Sequence, residues 1–463
     1  MRYISTRGGA PAVGFVDALL GGLAPDGGLY QPQDWPAFDS DALASLAGRP
    51  YADVAAEVLG LFCADEIAPE ALARMCAEAY ASFDRPAVTP LRQLSPDRWL
   101  LELFHGPSLA FKDVALQLLA RLYDHVLAER GERAMIVCAT SGDTGGAAVE
   151  AFRGRKRVRL VTLFPSGRIS DVQRRFITTA SEPNVRAFAL DGDFDDCQAL
   201  VKALFADPDF TARHRLSAVN SINFVRIAAQ AVYYLVAGLA LGAPHRPVAF
   251  AVPTGNFGDA FAGWVAGRLG LPIERILIAT NANDILARAL AGGRYARAPM
   301  TPTASPAMDI QSASNFERLI FETTGRDAVV TRRMFEQFAQ SGSVEVPAGA
   351  SRAMATLFTG ATASDAAAAA AIASTLSATG ELVDPHTAVA LAALESVPPT
   401  RSPVVVLATA DPAKFPETVL AACGVRPAAP QAARRVALAD EHYRNLADDL
   451  GAVRAAIEDF AAE

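Results

Sequence analysis

The chain has 463 residues, 51% of them hydrophobic and 20% charged, and its 42 Lys+Arg against 50 Asp+Glu leave a formal charge of −8. Its length and apolar content exceed what one hydrophobic core holds, so at least two substructures are expected. Mild acidity argues against a nucleic-acid or anionic-membrane surface, no run of about 18 apolar residues marks a membrane span, and the scattered Gly and Pro fit neither collagen nor disorder.

Residues 1–95 read as a mixed N-terminal subdomain. Arg2, Arg7 and scattered Gly and Pro, with no compact apolar run, argue against a secretory signal. Helical spacing predicts helices within Val13–Leu20 and Leu43–Leu61, separated by the turn-rich Pro25-Asp26-Gly27-Gly28 and by residues 32–36. From about Trp99 the rhythm becomes apolar strand, Gly-rich turn, helix. Strands are predicted at Ala134–Cys138, Val158–Phe164, Val185–Leu190, Val248–Val252, Ile276–Ala279 and Val404–Ala408. Helices are predicted up to Phe152, from about Asp171, from about Asn223 and over Ala260–Gly270. Strands alternating with helices imply an α/β fold with parallel sheets. The expected division is 1–95, 96–240 and 241–463. The alanine tract Ala366–Ala371 after Ser364-Asp365 reads as a helix start, Arg153–Arg157 as a solvated corner, and Glu441–Ala462 as a charged helical tail.

Cys63, Cys76, Cys138, Cys197 and Cys423 are widely spaced and odd in number, which predicts free thiols in a reducing cytoplasm. The six histidines, His105, His214 and His386 among them, form no metal-binding pair, so no metal is expected. Chemistry must come from elsewhere.

Three loops could supply it. Thr140-Ser141-Gly142-Asp143-Thr144-Gly145-Gly146 follows a strand and opens a helix, with backbone N–H groups and hydroxyls suited to a carboxylate or phosphate. It carries more short polar residues and glycines than an ordinary capped turn needs. Pro253-Thr254-Gly255-Asn256-Phe257-Gly258-Asp259 also follows a strand. It lacks the P-loop and dinucleotide fingerprints, which leaves a small phosphorylated ligand. In His105-Gly106-Pro107-Ser108-Leu109-Ala110-Phe111-Lys112-Asp113 a lysine starts a helix among apolar neighbours. Two readings stand: a snorkelling surface lysine, or a desolvated lysine able to form a Schiff base. Taken together, the three loops meet the needs of a pyridoxal-phosphate enzyme acting on an amino acid.

These segments, in this order, resemble the threonine synthase family of fold type II (tryptophan synthase β-like) pyridoxal-phosphate enzymes. The resemblance begins at Gly22-Leu23-Ala24-Pro25-Asp26-Gly27-Gly28-Leu29-Tyr30 and takes in all three loops. It continues through Asn220-Ser221-Ile222-Asn223 and Leu407-Ala408-Thr409-Ala410-Asp411-Pro412-Ala413-Lys414-Phe415. It implies that Lys112 holds pyridoxal 5'-phosphate and then moves protons at substrate Cα and Cβ. Gly255, Asn256, Phe257, Gly258 and Asp259 would hold the cofactor phosphate, and Thr409, with Asp411 as rival, would face the pyridine nitrogen. The Ser141, Gly142, Asp143, Thr144 loop would receive the substrate carboxylate. Relatives acting on other amino acids often have Asn where Asp143 stands, and an Asp there is expected to turn away or pair with a cation. The implied substrate is O-phospho-L-homoserine, whose phosphate would meet Asn220, Ser221 and Arg226, with Lys414 and the Arg168 region as weaker candidates. The implied activity is release of phosphate from Cγ with addition of water at Cβ, by a cytoplasmic monomer or homodimer whose domains close on the substrate. The alternatives are a serine/threonine dehydratase or phospholyase of the same fold, or a non-catalytic binding homologue.

Overall fold

Apolar strands alternating with helices build two sheets in the computed structural model, which describes residues 1–463. The larger has six strands in the order Phe358–Thr362, Ile273–Thr280, Val248–Pro253, Val404–Ala408, Arg98–Glu102, Leu91–Ser95. All neighbours are parallel except the last pair. The smaller is parallel throughout, in the order Arg444–Leu446, Val185–Leu190, Val158–Pro165, Ala134–Ala139, Leu216–Ser217. Helices on both faces bury such strands completely, which explains why Val248–Pro253 is apolar at every position rather than alternating.

The predicted strands and helices form with small shifts in their bounds. The helix expected over Ala260–Gly270 runs Gly258–Arg268, and the alanine tract lies in the helix Asp365–Thr379, capped by Ser364 rather than Asp365. The Leu43–Leu61 region splits into Ser40–Ser45 and Tyr51–Cys63. Gly48 takes φ +74° and Pro50 disfavours helical geometry in the residue before it, so the helix restarts after Pro50. N-terminal helices Tyr51–Cys63 and Pro69–Tyr80 pack on the long helices Lys112–Glu129 and Phe224–Ala240, in one continuous core.

One expectation is corrected. The tail is helical only over Leu450–Ala462, with Asp449 as its cap; before it, Arg444–Leu446 adds a parallel strand to the edge of the smaller sheet. An open strand edge recruits backbone whatever its side chains prefer locally. Sheet membership cuts across boundaries at 95/96 and 240/241. Leu91–Ser95 and Arg98–Glu102 sit in the sheet built mainly from residues after 241, and residues 444–446 join the sheet of residues 134–217. Strand pairing is non-local, so contiguous segments do not define the layers.

The strands ending at Glu102, Ala408 and Pro253 are adjacent and parallel. The loops leaving them therefore emerge side by side at the carboxyl edge of the sheet, where α/β folds bind ligands.

Candidate active site

The first of these loops carries Lys112. Backbone bonds tie it to the loop after Ala408: Phe111 N donates to Thr409 O at 2.8 Å and Asp411 N to Leu109 O at 3.1 Å. The buried Asp113 carboxylate closes the loop on itself, accepting from Ser108 N at 2.7 Å and Ser108 Oγ at 2.8 Å. Lys112 then begins the helix with only 12% of its side chain exposed. Burial pushes its amine down to about 8; the Asp143 carboxylate opposes the shift, while Lys414 and Arg226 reinforce it. The side chain is largely enclosed in the cleft rather than snorkelled along the surface.

Asp143 faces it across the cleft from the smaller sheet. Its Oδ2 lies 3.8 Å from Lys112 Nζ, and its Oδ1 lies 2.7 Å from Lys414 Nζ and accepts from Gln173 Nε2 at 3.0 Å. Burial alone would raise this carboxyl; the charges of Lys414 and then Lys112 outweigh that and hold it well below the usual carboxylate range. Asp143 thus pairs with a cation. Lys414 is itself fully buried and also donates to Ser108 O at 2.9 Å, so it pins the Lys112 loop and the Asp143 loop together. Gly142 is required beside it: its φ is +128°, and a Cβ there would stand 2.6 Å from Gln173 Cδ. Ser141 and Thr144 are half-buried at the same helix start, where the N-cap Gly142 has no side chain and Thr140 Oγ1 accepts from Gly145 N at 2.8 Å.

The second loop at the sheet edge, Thr254 to Phe257, leads into the helix Gly258–Arg268. Phe257 adopts φ +64° and no side chain caps this helix, so its first N–H groups suit a phosphate. The half-buried Gly255 has no room for a side chain, since a Cβ would come 2.8 Å from Ala307 O. Asn256 is exposed and its carbonyl accepts from Asn315 N at 3.1 Å. Asp259 lends only its backbone: its Oδ1 accepts from the buried hydroxyls of Tyr233 and Tyr234, away from the loop. Burial pushes that carboxyl up to about 6, with the two hydroxyls opposing.

Arg226 lies in the first turn of the helix Phe224–Ala240 and is 3% exposed. One amino group donates to Val219 O at 2.9 Å, while Nε has no partner. Burial brings it down to about 10, which leaves it a cation at neutral pH. Asn220 and Ser221 are half-buried just before it, and Asn223 caps the helix. The Thr409 hydroxyl makes no bond within the chain, whereas the Asp411 carboxylate caps Ala413 N at 2.8 Å. Arg168 stands exposed on the turn after Pro165.

These residues fit pyridoxal phosphate: an uncapped helix start for its phosphate, a buried amine of depressed basicity for its carbonyl carbon, and an unengaged hydroxyl for its ring nitrogen. Sequence reading ranked Lys414 low and passed over Gln173, Asn315 and Arg318. Asn315 links the phosphate loop to Ser221 O, which accepts from its Nδ2 at 3.1 Å, and the fully buried Arg318 holds Asn315 Oδ1 at 3.0 Å. No local pattern flags them, because their partners are distant in the chain.

Residues 2–80 match the family described as Threonine synthase N terminus, 84–410 Pyridoxal-phosphate dependent enzyme, and 387–457 Threonine synthase, C-terminal. The chain is 48% identical to a threonine synthase of Pseudomonas aeruginosa over 98% of its own length and 97% of that protein's. The crystal structure of PLP-bound threonine synthase from Brucella melitensis superposes with a TM-score of 0.97 at 50% identity, covering all of both chains. The threonine synthase structure from yeast gives 0.94 at 35% identity, covering 100% of this chain and 99% of that one.

Proposed function

The chain belongs to the threonine synthase family of pyridoxal-phosphate-dependent enzymes, and from that premise we propose that it converts O-phospho-L-homoserine and water to L-threonine and phosphate. One observation carries the choice of substrate. Beyond the helix start that suits the cofactor phosphate, Arg226 is a buried cation with an unpartnered Nε, which supports a second anion site in the cleft. Its charge reaches the Lys112 amine. A dehydratase acting on serine or threonine has no second phosphate to place there. A phosphorylated amino acid does, and a planar guanidinium grips phosphate well.

In this reading the chain's residues divide the work. The helix start at Gly258 and the Gly255–Phe257 backbone anchor the cofactor phosphate, Lys112 carries the cofactor, and Thr409 faces its ring nitrogen. When bound, pyridoxal phosphate supplies the electron sink that makes protons beside the amino-bearing carbon removable. The loop Ser141 to Thr144 receives the substrate carboxylate at its helix start, and Asp143 is kept from repelling it by Lys414. Arg226, with Asn220 and Ser221, holds the phosphate that leaves Cγ. Lys112 moves protons at Cα and Cβ, and an amine near 8 exchanges them readily close to neutral pH. Water then adds at Cβ. The compartment we propose is the cytoplasm, supported by five free cysteines; no helix is long and apolar enough to cross a membrane.

The test is to follow phosphate and threonine together from O-phosphohomoserine. Equal release of both supports the proposal. Phosphate accompanied by a 2-oxo acid instead would make the protein a phospholyase.

A further inference from the structure

The helix Pro385–Leu394 lies buried behind the larger sheet, and its N-cap is Asp384, fully inaccessible to solvent. A cap needs only backbone bonds, and Asp384 makes them: it accepts from His386 N at 2.9 Å and Thr387 N at 3.1 Å. It also takes two side-chain bonds that capping does not require. Thr387 Oγ1 donates to Asp384 Oδ1, and His386 Nδ1 lies 2.7 Å from Asp384 Oδ2.

Each of these two side chains continues toward the cleft. Thr387 Oγ1, its proton given to Asp384, accepts from the backbone N–H of Thr409 at 3.3 Å. His386 Nε2 accepts from Ala307 N at 3.3 Å, which puts the ring proton on Nδ1, directed at Asp384. Ala307 is the residue whose carbonyl stands against Gly255, where a Cβ would come within 2.8 Å. One buried carboxylate therefore fixes two segments about a hundred residues apart in sequence. One presents Thr409; the other backs the phosphate loop at Gly255.

We propose that Asp384, His386 and Thr387 form a positioning relay that sets both ends of the cofactor site at once, the Thr409 backbone through Thr387 and the Gly255 loop through His386. The proposal rests on the reading that Thr409 and Gly255 face the cofactor. Because Asp384 accepts four donors, neither arm swings without breaking a buried bond, and the spacing between ring-nitrogen partner and phosphate loop is held fixed before the cofactor arrives.

Thr387→Val keeps the side-chain shape and removes the hydroxyl, whereas Thr387→Ser keeps the hydroxyl. Pyridoxal phosphate is titrated into each apoprotein, the dissociation constant and the visible band of the bound cofactor are recorded, and thermal unfolding of the apoproteins is followed in parallel. The relay predicts binding weakened roughly tenfold or more in Thr387→Val with a shifted band, and values close to the unsubstituted protein in Thr387→Ser. Unchanged affinity and band in Thr387→Val overturn it, whatever happens to the melting temperature, since loss of a buried hydroxyl bond that only stabilises the helix leaves the cleft as it was. If Thr387→Val does not fold, His386→Phe tests the other arm: weakened binding supports the relay and unchanged binding overturns it. Thr409→Val serves as the control for the underlying reading. If it leaves the band unchanged, the assignment of Thr409 fails; if it shifts the band and Thr387→Val does not, the relay alone fails.

Discussion

Replacing Lys414 with Gln removes one of two positive charges that share Asp143. The carboxylate bridges Lys414 Nζ at 2.7 Å and Lys112 Nζ at 3.8 Å, all three groups being buried or nearly so. That geometry sets the two amines roughly 6–9 Å apart, and Coulomb's law at an effective permittivity near 20 makes their repulsion about 2–3 kcal/mol, or about one and a half to two pH units. Lys414 is among the causes that hold Lys112 down near 8, so its removal moves the Lys112 amine upward. The freed Asp143 carboxylate, now facing Lys112 alone, pushes in the same direction. Only the neutral amine attacks a carbonyl, so the rate at which the apoprotein captures pyridoxal phosphate covalently should fall on an acid limb near pH 8. In Lys414→Gln that limb should lie one to two units higher, following the repulsion estimated above. Stopped-flow capture rates across pH 6 to 11 measure it directly (expected range set by the amine,). An acid limb that stays in place, or moves down, would refute the claim that Lys414 tunes Lys112. The same variant removes the nearer cation from a buried carboxylate and should lower stability by about 3 kcal/mol, measured by urea unfolding.

Arg226→Met exchanges an incompletely paired buried cation for an apolar side chain, so stability should hold or rise while KM for O-phosphohomoserine rises on the order of tenfold or more. Inhibition by inorganic phosphate should weaken in parallel; an unchanged KM counts against Arg226 as the phosphate grip. Gly142→Ala forces a Cβ against Gln173 at a φ of +128°, and the substituted protein should lose about 1–3 kcal/mol in urea unfolding. Asp259→Asn tests the inward carboxylate. Its pKa is raised by burial to about 6, so the charged form destabilises the native state progressively as pH climbs from about 4 to 6. The Asn variant should match the unsubstituted protein near pH 4 and exceed it by on the order of 2 kcal/mol by pH 8; equal stability at both pH values would show that Asp259 does not titrate as described.

The alternation of apolar strands with Gly-rich turns and helices was sufficient to announce an α/β fold and most of its elements, because a strand buried on both faces must be apolar throughout and a helix start needs its cap nearby. Lys112, Gly255 to Asp259 and Ser141 to Thr144 came forward as candidates for the same reason: each lies on a loop or helix start whose local chemistry is unusual; Arg226 came forward only through the family resemblance, since by itself it reads as a helix-surface cation. The tail was misread because strand Arg444–Leu446 owes its conformation to the open edge beside Val185–Leu190, which is nowhere near it in sequence.

By itself, then, the sequence determined the fold class and brought three loops, with Lys112 in one of them, forward as candidates, since local backbone geometry and solvation dictate those residue types. Only the tertiary structure decided what each side chain faces. It turned Asp143 onto Lys414, sent the Asp259 carboxylate inward to Tyr233 and Tyr234, left Arg226 incompletely paired, and joined Thr409 to Ala307 through Asp384. Those contacts connect residues tens to hundreds of positions apart, and their energies depend on burial that exists only once both sheets have packed.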